Sequence, residues 1–553
     1  MGEKRSVTRM LVDHFFRRFF DNDTIQVDGD TLTTVVRAIS IVAVPGPMIA
    51  FFMQNQYPAR PLWGAIEDHY LFVLISFVVM GVVSIFEWEM LFPDRLDFLI
   101  LSPLSLKPMQ MLAAKAAALI VFLALFLVGC SLFGTVMLPA ISKGDFFRQV
   151  FAHGTAVLLA GVFAALLFLA LGGVLLCVLD AAQFRVASPI MQMLSVMALV
   201  LLMLHYAKNG DSMQALLSEP MGMARWMPPL WFLGMYEQLL RGDAAPAFAR
   251  EMTRYAVRGI VTAAVVVLLT YPMAWARMRK MAIEGSTRRR RQPSRWIARL
   301  VHGVVRRPGE RAVFHFIGQT IARNNRYQVY LAMYCGTGLA LSIACAVTFR
   351  VNGGNIQPIL YDKGLHAMMP LLLFWVIAGL RTAFAFPLNL SAGWVFRITG
   401  VNIGECAAAA RRWVLLSAMG VMCWIVATLG LAGWDVRHLL VQVVCGLCLC
   451  ILLTDGFFFI QQSVPFNQPR MPGRSSFALM LTLYVGVFPP FIFSVIYMEI
   501  LMEKNLAKLL FLGLITAAIH AGLGAIRTGS DEVEEEMEGY DGEFQLLGLS
   551  LWG

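Results

Sequence analysis

Long apolar runs of about 20 residues alternate along this chain with shorter polar stretches, and a run of that length crosses roughly 30 Å of hydrocarbon as a helix. Twelve such runs stand at 35–53, 69–86, 111–138, 151–179, 188–206, 257–276, 328–349, 366–386, 413–433, 439–460, 476–498 and 506–526. Backbone groups inside lipid must bond within their own segment, so each run predicts a helix. The pattern is that of an all-α polytopic membrane protein with about 12 transmembrane helices. Composition agrees: 58% of the 553 residues are hydrophobic and 14% charged, where soluble chains hold about 45–50% and 25%. Residues 1–34 are charged and the first long run begins only near Val35, so no cleavable signal is expected.

Charge gives the orientation. The segment 277–327 carries fourteen basic residues, among them Arg288 to Arg291, against Glu284 and Glu310, whereas the loop 207–256 has five of each sign. Lysine and arginine favour the cytoplasmic side, which predicts 277–327 and both termini there. The net charge of +10 then reflects topology and contact with anionic lipid head groups, and no nucleic-acid partner is expected.

Two polar elements break the alternation. Residues 7–22 place Phe15, Phe16, Phe19 and Phe20 beside His14, Arg17 and Arg18, which at helical spacing predicts an amphipathic helix lying in the membrane interface. Phe86 to Lys115 sits between the second and third runs, and Pro93, Pro103 and Pro108 prevent a single helix. A short charged piece with Leu96, Phe98, Leu99 and Leu101 between prolines suggests a handle for a cytoplasmic partner.

The succession Asp94-Arg95-Leu96-Asp97, Leu101-Ser102-Pro103-Leu104-Ser105 and then Lys115 opening the next helix resembles the permease subunits of ABC-2 type exporters. In that family the link between the second and third membrane helices couples the permease to its ATPase. The resemblance therefore implies ATPase-coupling roles for Asp94, Asp97, Leu101, Pro103 and Lys115, a bacterial cytoplasmic membrane, and a separate ABC ATPase as partner, with room for accessory subunits. This chain is about twice the usual permease length, and its plan repeats. Residues 35–276 form one six-helix unit, 277–327 a basic linker, 328–526 a second unit, and 527–553 an acidic cytoplasmic tail. Phe386-Pro387 and the stretch to Arg412 occupy the place of Phe92-Pro93 to Lys115, without its aspartates. Both units begin on the same side, so the repeats are expected to be parallel.

No lysine follows a glycine, so no phosphate-binding loop ending Gly-Lys-Ser/Thr exists in the chain. ATP and magnesium are expected on the partner, and no cofactor on this polypeptide. An integral-membrane enzyme would need converging His, Asp or Glu residues, but the nine histidines are scattered singly in sequence. A facilitator-type secondary transporter would also have six plus six helices. Its loop after the second helix favours Gly-x-x-x-Asp-Arg-x-Gly-Arg-Arg, and here Met90 stands for the glycine and Asp97-Phe98-Leu99 for the basic end. Cys445, Cys448 and Cys450 lie in an apolar run and read as small buried hydrophobes, so no metal ligands are expected. Ionisable residues within spans are functional candidates, and Arg381 and Asp455, the two placed deepest, are expected to form an intramembrane ion pair. The reading is an exporter permease subunit with a lipid-like or amphipathic cargo.

Overall fold

The computed structural model describes residues 7–20, 39–57, 59–88, 106–142, 144–208, 224–284, 305–352, 355–385, 403–459, 477–503 and 507–538, with single positions at 36, 217, 303, 465, 466 and 505. Among them, 11 helices are long and apolar enough to cross a membrane, and they coincide with the second to twelfth apolar runs. The first run is interrupted. A turn at Val44 is followed by Pro45 and Pro47, and the helix beyond it, α2 (Pro45–Met53), has nine residues, since proline cannot donate to the helical ladder. Many side chains project outward from these helices, such as Leu268, Leu510, Leu514 and Phe493. That is expected where the solvent is hydrocarbon rather than water. The protein is an all-α polytopic membrane protein with one small addition, described below.

The contacts divide the chain into two compact units. The first holds Met1–Gln292, Asn324–Leu365 and Arg470–Gly486. Its elements are α1 (Val7–Phe20), α2, α3 (Leu62–Glu87), α4 (Pro108–Ile141), α5 (Phe146–Val178), α6 (Ala181–Lys208), α7 (Pro228–Arg241), α8 (Ala247–Glu284) and α10 (Asn325–Ala346). Helix α5 is central and packs on α3, α4, α7 and α8, while α1 lies against α4 and α10 lies along α6. Small residues allow these approaches, as close packing must replace hydrophobic drive in lipid. A Cβ on Gly161 of α5 would stand 2.4 Å from Leu127 of α4 and 2.7 Å from Ser76 of α3. A Cβ on Gly336 of α10 would stand 2.7 Å from the Met193 carbonyl of α6. The sequence boundary at 328 follows the repeat, whereas the contacts group the seventh run, α10, with the first unit.

The seventh run ends sooner than its apolar pattern implied. After Ala346 the chain forms an antiparallel hairpin of β1 (Val347–Asn352) and β2 (Asn355–Leu360), with Val347 opposite Leu360. The β-branched Val347, Thr348 and Val351 suit a strand as well as a span, so hydropathy did not mark the change.

The second unit holds Pro293–Arg323, His366–Pro469 and Val487–Gly553. It contains α9 (Pro308–Arg323), α12 (Met368–Ala385), α13 (Ile403–Leu431), α14 (Val436–Phe457), the later part of α15 (Phe477–Glu503) and α16 (Ala507–Glu538). A short helix, α11 (Asp362–His366), precedes α12. Here α14 is central, packing on α12, α13 and α16, and α9 lies against α13.

Candidate functional site

Helix α1 follows the amphipathic pattern of residues 7–22. Leu11 and Phe15 are buried against α4, and Lys115 of α4, itself only 4% exposed, places its ammonium 5.1 Å from the centre of the Phe15 ring. Such a cation over an aromatic face contributes about 0.5–2 kcal/mol depending on desolvation. Lys115 therefore joins the base of the third span to the N-terminal helix. Asp94, Asp97, Leu101 and Pro103, the other residues of the expected handle, lie outside the described residues.

The second unit carries a seam of the same kind. Helix α9 precedes the first span of the second repeat as α1 precedes that of the first, and buried Glu310 of α9 is ion-paired with Arg412 of α13. Lys115 and Arg412 both stand near the start of the third helix of their repeat. Their separation in numbering equals that of His69 and His366, since 412 − 115 = 366 − 69.

The intramembrane carboxylate Asp455 meets two side chains of the sixth span of its repeat. Asp455 of α14 accepts from Arg527 Nη1 at 2.9 Å and lies 2.6 Å from His520 Nδ1, both on α16. Arg381 lies over the Phe458 ring at 5.6 Å. Helix α14 packs on both α12 and α16, and hydropathy cannot tell which neighbour its polar face meets. The first unit repeats this joint too. Arg277 of α8 donates to the carbonyls of Leu176 and Cys177 at the end of α5, and pairs with Asp180 at 3.0 Å. These carbonyls have no partner within their own helix, and an arginine of the sixth span of each repeat supplies one.

At the opposite end of the first unit, where α3 and α5 begin, three polar side chains meet in a buried chain. Tyr236 Oη of α7 lies 2.6 Å from His69 Nε2, and His69 Nδ1 lies 2.9 Å from His153 Nδ1. Beside them, Asp68 accepts bidentately from Arg60 and from the Tyr57 hydroxyl. Burial, reinforced by the Asp68 charge, holds the Tyr57 hydroxyl above its ordinary range, and the bond to Asp68 raises Arg60. Burial also raises Tyr236 and the Glu237 carboxyl, against the opposing effect of Arg241 at 2.7 Å. His69 and His153 stand singly in the sequence, 84 residues apart. Their convergence depends on the packing of α3, α5 and α7.

The second unit gathers a further group from three helices. His366 Nδ1 lies 2.6 Å from Glu499 Oε1 and 3.6 Å from Glu503 Oε1, and Gln442 of α14 donates to Glu499. The chain matches no protein-family model, no curated protein and no solved structure.

Proposed function

We propose that the chain is the membrane-spanning permease subunit of an ATP-driven, ABC-2-like exporter, built from two tandem six-helix units and coupled to a separate ATPase through 86–115. The observation that carries this is the repeated set of seams. In each repeat the helix preceding the spans docks on the third span, with Lys115 meeting Phe15 in one and Arg412 meeting Glu310 in the other. In each, the fourth span packs on the second, third and sixth, and an arginine of the sixth closes the end of the fourth. Such matched packing suits a transporter that needs two like halves around one path. In this reading α1 lies in the plane of the cytoplasmic interface, and both termini and 277–327 face the cytoplasm of a bacterial cell. The handle would hang from the base of α4, which Lys115 holds against α1.

The test is purification of the chain in mild detergent from its native host, followed by identification of co-purifying proteins. An ATP-binding subunit should appear, and Asp97→Ala/Leu101→Ser should leave the helices folded while uncoupling ATPase stimulation from transport. Coupled activity at the wild-type level in that double variant would remove the handle. A second reading, a facilitator driven by protons, draws on the buried titratable chains at His69 and His366. It requires proton-driven transport by the purified chain alone, without ATP.

A further inference from the structure

We infer that His366, Glu499, Glu503 and Gln442, all of the second unit, form a binding site for one divalent transition cation, of the Zn²⁺ or Mn²⁺ class, where His366 meets α14 and α15. This goes beyond the exporter reading and does not rest on it. One ligand atom from each of His366, Glu499 and Glu503 lies within 4.8 Å of the others. Glu499 and Glu503 are four residues apart on α15, so both carboxylates project from one face of the helix. Glu499 is 2% exposed. Two carboxylates so close in a desolvated place repel one another unless a cation or proton lies between them.

Two further observations point to a ligand. Gln442 is fully buried, its Nε2 donates to Glu499, and its Oε1 has no hydrogen-bond partner. A half-turn of the amide, which leaves its shape unchanged, would turn that oxygen toward the carboxylates, an arrangement that a bound cation makes favourable. Glu503 Oε1 is likewise buried without a hydrogen bond. Donors held at 2.0–2.2 Å around a tetrahedral Zn²⁺ are about 3.3–3.6 Å apart. The Nδ1 to Glu503 distance of 3.6 Å already fits, and the 2.6 Å contact to Glu499 opens by under about 1 Å when metal replaces the shared proton. Binding therefore releases a proton from Nδ1, either to solvent or to Nε2 as the tautomer changes. One imidazole nitrogen with carboxylate and amide oxygens suits Zn²⁺ or Mn²⁺ better than Ca²⁺ or Mg²⁺, which take oxygen alone. The Trp434 ring, 5.0 Å from His366, provides a local optical reporter.

The test is equilibrium binding of Zn²⁺ and Mn²⁺, each alone, to the full-length chain in chelator-washed detergent. Wild type should take up one equivalent of Zn²⁺, with a change in Trp434 fluorescence that Trp434→Phe removes and a metal-dependent rise in Tm. Glu503→Gln sits at the rim and should preserve the fold while weakening binding at least tenfold. Gln442→Leu and His366→Ala should weaken it as much or more. No saturable uptake below millimolar metal, or uptake unchanged in Glu503→Gln and Gln442→Leu, would overturn the site. Ca²⁺ binding more tightly than Zn²⁺ would overturn the assigned class.

Discussion

A carboxylate as buried as Asp455 needs a cation or a proton, and Arg527 supplies a cation at 2.9 Å on a side chain that is 8% exposed. Removing one member of a desolvated pair strands the other, at about 3–5 kcal/mol, whereas removing both costs less. Arg527→Met should therefore lower stability in detergent sharply, Asp455→Leu/Arg527→Met should recover part of the loss, and Arg381→Ala should add independently of either. Thermal unfolding of wild type, Asp455→Leu, Arg527→Met, their double variant and each of these combined with Arg381→Ala measures the coupling of Asp455 to both arginines, and strong coupling to Arg381 with none to Arg527 would overturn the Arg527 pair. Glu237 gives a pH prediction. Burial raises its folded-state pKa despite Arg241, so the fold binds that proton more tightly than the unfolded chain does. Its contribution is complete below about pH 4 and is lost as pH rises through the folded value. Glu237→Gln should thus be more stable than wild type at alkaline pH, with the two converging in acid. If the variant is the less stable at alkaline pH, the Arg241 contact outweighs desolvation. At this scale the sequence was least informative. Glu499 fell one residue past the eleventh apolar run, and His69 and His153 are joined only by the packing of α3 on α5.

Elements were more legible, because a 20-residue apolar run has few alternatives to a spanning helix. Eleven runs became such helices, and the two departures have local causes, proline at Val44–Pro47 and β-branched residues at Val347–Val351. The amphipathic pattern of residues 7–22 located α1, but only the fold shows Phe15 beneath Lys115. That contact makes α1 a testable part of the seam. Lys115→Met keeps the length and apolar stem of the side chain but removes the charge. It should loosen α1 from α4, seen as faster hydrogen exchange across Val7–Phe20 with the spans unaffected. Phe15→Leu should act in the same direction, since it keeps bulk and loses the ring. Exchange across α1 unchanged in both would show that buried Leu11 and its neighbours hold the helix without the cation.

For the whole molecule, the proposed exporter makes a claim about number. If the proposed exporter needs two like halves, one polypeptide supplies both, since it holds two sets of matched seams. If each repeat presents one place for an ATPase, a single chain should carry two copies of that subunit. Native mass measurement of the complex in detergent reads this directly. The two places should differ in strength, because the second repeat lacks the aspartates of Asp94-Arg95-Leu96-Asp97 and has the Glu310–Arg412 pair at its base. Asp97→Ala/Leu101→Ser should therefore lower occupancy to one ATPase per chain. Arg412→Ala, which leaves the buried Glu310 carboxylate without its partner, should reduce occupancy at the other place. Combining the changes should strip the complex. One ATPase per chain in the wild type, or two chains joined by a pair of ATPases, would mean that each polypeptide is only half of the transporter, and the tandem reading would fail even if the ATPase partner itself were found.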